Sequence, residues 1–134
     1  MTVFRVLLPG AMALVLSALA SAGQAQDCSA PVTQIDMTTC AGRAFETADA
    51  ALNAAYTQAM ALAKERGPVP AGQDTDADLL RAAQRAWIPF RDAACEAEST
   101  LARGGSLQPM LKLNCLERLT RQRTEDLKIF SGLN

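Results

Sequence analysis

Hydrophobic side chains recur every three or four residues through three stretches of the chain, a spacing typical of helices that bury one face. The first predicted helix covers about residues 38–66, where Thr38 or Thr39 can cap its start. Gly67 and Pro68 end it, because Gly adopts the left-handed conformation of a helix end and Pro cannot continue a helix. The positions expected to face inward are Phe45, Ala48, Leu52, Tyr56, Ala59 and Leu62.

The second predicted helix begins near Asp74 and Thr75 and ends at the turn formed by residues 104–106. Pro89 lies inside it and removes one backbone donor, so we expect a kink near residues 84–85 and not a break. The positions expected to face inward are Leu79, Ala83, Ala86 or Trp87, Phe90, Ala94 and Leu101.

The third predicted helix starts after Ser106 as its cap, accepts Pro109 in its first turn and runs to about Phe130. Its inward positions are Leu113, Leu116, Leu119, Leu127 and Phe130. No stretch of the chain alternates apolar and polar residues with period two, so no strand is predicted. The sequence therefore predicts an all-α fold of three long antiparallel helices, preceded by an irregular N-terminal arm at residues 27–33.

The N-terminus has the pattern of a signal peptide. Arg5 precedes an apolar run at residues 6–20, and small residues then recur at the spacing that signal peptidase accepts. We expect cleavage after Ala25, so that residues 1–25 are the signal peptide and residues 26–134 the domain. The alternative is a membrane anchor, but the apolar run is interrupted at residues 9–10 and is shorter than the ~20 residues that span a bilayer.

Export makes the four cysteines candidates for disulfides, and four cysteines allow three pairings. Cys95 and Cys115 are equally distant from residue 105 in the second predicted turn, so they lie at the same height of a helical hairpin. This pairs Cys95 with Cys115 and leaves Cys28 for Cys40. The pairing Cys28–Cys115 with Cys40–Cys95 stays open if the arm packs differently.

Cys28 has a second interpretation, because it is the first cysteine after the signal peptide and could carry a lipid. The preceding Gln26 and Asp27 are not the small residues that a lipid-modification site requires. We therefore expect Cys28 to be a disulfide partner. The expected location is the periplasm or the extracellular medium.

Composition excludes several functional classes. Thirteen Lys and Arg against fourteen Asp and Glu give a formal charge of -1, without the basic excess of a nucleic-acid binder. The chain has no His and therefore no imidazole base or His metal ligand. Asp74, Asp76 and Asp78 lack the Gly and terminal Glu of a calcium loop. A narrow bundle also offers no cleft for the carboxylate pair of a glycosidase. We therefore expect that the protein is not an enzyme and that it binds neither a metal ion nor a cofactor.

Three pieces of sequence carry a family resemblance. Residues 84–95 have the pattern Q-x-x-W-x-x-F-R-D-x-x-C, residues 49–56 the pattern D-x-x-L-N-x-x-Y, and residues 115–123 a Cys followed by a T-x-x-R run. Together they resemble the lysozyme-inhibitor LprI family over most of the chain after the signal peptide. The resemblance implies a small α-helical secreted or periplasmic domain, and a protein that binds lysozyme by covering its cleft. The alternative is an envelope scaffold with a bacterial protein partner.

Two sets of residues are candidates for function or specificity. Exposed aromatic and Arg side chains often anchor interfaces, and an acidic segment attracts a basic partner such as lysozyme. The candidates for partner binding are Asp74, Asp76, Asp78, Trp87 and Arg91. The alternative, which we favour, is a structural role in which Trp87 and Phe90 fill the core and Arg91 pairs with a carboxylate. A second set is expected to form a structural polar cluster that includes a pair between Asp49 and Arg85 or Arg91: Asp49, Asn53, Tyr56, Arg85 and Asp92.

Overall fold

The computed structural model describes residues 27–132, which form three helices and contain no strand. Helix α1 spans Gln34–Glu65, α2 spans Asp76–Ser99 and α3 spans Gln108–Ser131. A 3-10 turn at Thr100–Ala102 extends α2. This confirms the predicted all-α fold. The predicted signal peptide, residues 1–25, lies outside the described residues.

The three helices run up, down and up. Arg66 pairs with Asp76 across the first loop, and Gln34 at the start of α1 donates to Met110 at the start of α3. Helix α2 is therefore antiparallel to its two neighbours, while α1 and α3 run in the same direction. Contacts between α1 and α3 are the most extensive, and α1 touches α2 over a shorter stretch.

Helix α1 begins four residues earlier than predicted, because the cap is Thr33 and neither Thr38 nor Thr39. The Thr33 hydroxyl accepts a hydrogen bond from the Asp36 N–H, and the Asp36 carboxylate accepts one from the Thr33 N–H, both at 3.1 Å. This reciprocal capping box satisfies two backbone donors. The hydrogen bonds from Thr33 hold the pKa of Asp36 below its ordinary value. Thr38 and Thr39 instead lie within the helix and donate to backbone carbonyls one turn earlier.

Substitution Thr33→Ala is expected to lower the free energy of unfolding by about 1 kcal/mol, the usual effect of losing a helix cap. Thermal and urea unfolding would measure it. The matched control is Thr57→Ala, which removes an exposed hydroxyl that, within residues 27–132, donates to the Asn53 carbonyl inside α1. The control should change stability by less than about half as much. Equal effects of the two substitutions would contradict the capping role.

Helix α2 is rotated relative to the prediction. Leu79, Phe90 and Leu101, expected to be buried, are 55%, 63% and 84% exposed. The face that α2 buries consists instead of Ala77, Leu80, Gln84, Arg91, Cys95 and Ser99, with Trp87 half-buried. The helix therefore turns a partly polar stripe inward and leaves a more apolar stripe in solvent.

The rotation has a simple cause. Cys95 is fully buried because it is bonded to Cys115 on α3, so the disulfide determines which side of α2 faces the bundle. At 100° per residue, Phe90 lies about 140° around the helix from Cys95. Both side chains cannot face inward, and the covalent bond decides between them.

The remaining boundaries differ from the prediction by a few residues. Helix α2 is continuous through Pro89. Ser106 does not cap α3, because the residue at the cap position is Leu107, whose side chain makes no capping hydrogen bond. Gly132 ends α3 with φ of 70°, in the left-handed region that favours Gly. The inward positions predicted for α1 and α3 are buried or half-buried, as expected.

Both expected disulfides are confirmed. Cys28–Cys40 ties the N-terminal arm to α1, and Cys95–Cys115 joins α2 to α3. The latter bond lies within an apolar cluster with Leu116, at the end of the bundle where α3 begins. A second, larger cluster fills the opposite half of the bundle around Leu52, Ala59 and Leu127.

Candidate protein-binding site

Arg91 on α2 lies between the two apolar clusters and is 8% exposed. Its Nη1 is 3.4 Å from Asp49 Oδ1 on α1 and donates at the same distance to Thr120 Oγ1 on α3. Its Nε donates to Asp92 Oδ1 at 2.9 Å. One guanidinium therefore makes polar contacts with all three helices.

Two aromatic rings flank the same guanidinium. The Arg91 Cζ atom is 5.4 Å from the centroid of the Phe45 ring and 5.1 Å from that of Trp87. At these distances the ring faces attract the cation and shield it from water. Arg91 is thus fully engaged inside the bundle, so its head is not presented to a partner.

The other residues expected in the polar cluster lie in different environments. Asn53 joins the cluster, because its Nδ2 donates to Asp49 Oδ2 at 3.2 Å. Tyr56 is half-buried against the larger apolar cluster. Arg85 is exposed and makes no ion pair with any residue in the range 27–132. It lies about 120° around α2 from Arg91, which prevents both from facing α1.

The acidic segment at the start of α2 carries less free charge than its sequence suggests. Asp76 lies 3.3 Å from Arg66 Nη1, and Asp78 lies 2.6 Å from Arg81 Nη1. The Thr75 hydroxyl, followed by Arg81, lowers the pKa of Asp78. Asp74 is exposed and makes no ion pair with the described residues.

The acidic segment is also separate from the Arg91 cluster. Asp78 and Arg91 lie thirteen residues apart on one helix, a distance of about 20 Å. Trp87 lies between them, half-buried beside Arg91. The structure thus does not bring the five candidate binding residues into a single site.

The surface that sequence reasoning missed is the outer stripe of α2. Its larger members, Leu79 and Phe90, are more than half exposed, and five alanines lie on the same stripe. We call it the outer α2 face; it consists of Leu79, Ala83, Ala86, Phe90, Ala93, Ala94 and Ala97. The sequence signal that could have found it is Cys95, whose predicted bond already places this stripe away from α3.

The described residues contain no group of three His, Cys, Asp or Glu side chains arranged to hold a metal ion. Between residues 27 and 132, no helix combines the length and apolar character that crossing a membrane requires.

A family model described as "Lysozyme inhibitor LprI" matches residues 25–127. The chain belongs to this family. It is also 42% identical over 125 residues to an uncharacterised protein of Rhizobium meliloti (strain 1021), an alignment that covers 88% of this chain and 90% of the relative. No solved structure matches the chain.

The sequence pieces that carry the LprI resemblance meet in space. Asp49 comes from the piece at residues 49–56, and Thr120 comes from the piece at residues 115–123. The piece at residues 84–95 supplies Trp87, Arg91 and Asp92. The other four residues contact Arg91. In this chain the three pieces therefore help to hold the helices together around Arg91.

Proposed function

We propose that the protein is an exported LprI-family inhibitor that binds lysozyme and covers its cleft. The observation that carries the proposal is the family match, which extends over nearly all of the described residues. The two disulfides agree with a location outside the cytoplasm, where such bonds persist. The periplasm is the proposed site of action.

The acidic segment at the start of α2 supplies the negative charge that attracts lysozyme in this proposal. Lysozymes are commonly basic, so an exposed carboxylate speeds association with them even where it adds little affinity. Asp74 is the best candidate because Arg66 and Arg81 pair with its two neighbours. Trp87 is half-buried, so part of its surface is available for contact. The burial of Arg91 removes it from the proposed contact residues.

The experiment is a titration of the oxidised protein into a lysozyme wall-lysis assay, with chromatography of the same mixture. We expect stoichiometric inhibition, a co-eluting complex and no wall cleavage by the protein alone. Substitution Asp74→Asn should slow association by roughly twofold to threefold at low salt and have no effect at high salt. The matched control is Asp126→Asn, an exposed carboxylate on α3.

The absence of both inhibition and a complex, tested with several lysozyme types at low salt, would overturn the proposal. The alternative would then be an envelope scaffold that binds a bacterial protein. Wall cleavage without lysozyme would instead indicate an enzyme.

A further inference from the structure

The outer α2 face has the spacing of a helix that packs against another helix. Six of its residues, at positions 79, 83, 86, 90, 93 and 97, are separated by alternating steps of four and three. This is the heptad repeat that brings one narrow stripe of a helix against a partner helix. Helices α1 and α3 do not supply that partner, because they pack on the other side of α2, where Arg91 and Cys95 lie.

The same face is symmetric along the helix. Measured from residue 88, Ala86 and Phe90 lie two residues away on either side, Ala83 and Ala93 five, and Leu79 and Ala97 nine. Within two of these three pairs, a large residue on one side of the centre matches a small one on the other. An antiparallel copy of the face therefore places each large side chain opposite an alanine.

We propose that the outer α2 face binds the same face of a second copy of this chain, with the two α2 helices antiparallel and a two-fold axis at residue 88. Phe90 of each copy then packs over Ala86 of the other, and Leu79 packs over Ala97. A two-fold axis is the usual symmetry of protein pairs, since one surface serves both copies. A parallel arrangement is disfavoured because it opposes Phe90 to Phe90.

The dipoles of the two α2 helices favour the antiparallel direction. The positive end of each α2 then lies beside the negative end of the other, so the two dipoles attract.

The size of the face predicts a dimer that dissociates on dilution. The stripe from Leu79 to Ala97 is about 27 Å long. A single helix pair of this length is near or below the lower limit, roughly 1,200 Å² in total, of interfaces that hold stable complexes. We therefore expect a dissociation constant in the micromolar range.

Sedimentation equilibrium of the oxidised protein over a wide concentration range tests the proposal. The average mass should rise from that of a monomer to that of a dimer. The fluorescence of Trp87, the only Trp in the chain, should shift to shorter wavelength over the same range, since Trp87 borders the face. Substitution Phe90→Glu should weaken association by roughly tenfold or more.

The matched control is Ile129→Glu, at a residue on α3 that is 61% exposed, nearly the same as Phe90. It should leave the association constant unchanged, and circular dichroism should show equal helix content in both variants. A monomer at every concentration would overturn the proposal, as would equal weakening by the two substitutions. A monomer that loses lysozyme binding on Phe90→Glu would assign the face to lysozyme instead. The dimer does not depend on the proposed function, so either proposal can fail alone.

Discussion

Substitution Arg91→Ala is expected to lower the free energy of unfolding by about 3 kcal/mol, the low end of the effect of breaking a buried ion pair. Stability falls for two reasons. The variant loses the polar contacts to Asp49 and Thr120, and it leaves a cavity between the rings of Phe45 and Trp87. The effect is not larger because Asp49 is 42% exposed, so water can solvate the carboxylate that remains. Urea unfolding, with helix content as the signal, measures the difference.

Two further variants separate the role of Arg91 from a general effect of removing charge. Arg91→Lys keeps the charge but loses the planar fork, so it should retain only part of the stability. Arg85→Ala removes an exposed Arg six residues before Arg91 on the same helix, and it should alter monomer stability by less than about 0.5 kcal/mol. Equal effects of Arg91→Ala and Arg85→Ala would contradict the assignment of Arg91 as the residue that joins the helices.

Replacement of Cys95 and Cys115 by Ala together is expected to cost at least about 3 kcal/mol, from the entropy regained by the unfolded chain when a loop of this size is opened. The two cysteines are 20 residues apart and are 0% and 1% exposed, so packing is lost as well. This bond also sets the rotation of α2. We therefore expect a large drop in melting temperature and increased exposure of apolar surface.

The bond between Cys28 and Cys40 provides the comparison. It closes a shorter loop of 12 residues and joins an exposed arm to the first turns of α1. Replacement of both cysteines by Ser should release the arm but leave α2 and α3 packed, so the loss should be smaller. Thermal unfolding of the two double variants under the same conditions shows which of them loses more stability. A larger loss from the Cys28–Cys40 pair would show that the arm stabilises the bundle more than the buried bond does.

The predicted face of α2 was wrong for a physical reason that applies beyond this helix. A hydrophobic pattern places Phe90 inside and Arg91 outside, because transfer of a charge from water is costly. The pattern carries no information about partners that are distant in sequence. Here Asp49, Phe45 and Thr120 compensate for the burial of Arg91, and they come from helices that only the fold brings together.

The candidate binding residues show the same limit. The positions of Asp74, Asp76 and Asp78 at the start of a helix could be predicted from local sequence, since acidic residues favour that end. Their pairing with Arg66 and Arg81 could be foreseen only in part: Arg81 lies one turn along the same helix, whereas Arg66 lies across a loop. The remaining charge of the segment is therefore a property of the folded chain.

The sequence by itself determined the three helices and the all-α class, favoured the two disulfide pairs that the structure contains and carried the resemblance to the LprI family. Each of these depends on spacing along the chain: the period of a helix, the equal distance of two cysteines from a turn, or the order of motif residues. Only the tertiary structure decided which side of α2 is buried, that Arg91 contacts all three helices and that the outer α2 face lies in solvent. These features depend on how the three helices pack around one shared interior. There, the Cys95–Cys115 bond and the partners of Arg91 outweigh the hydrophobicity of Leu79 and Phe90.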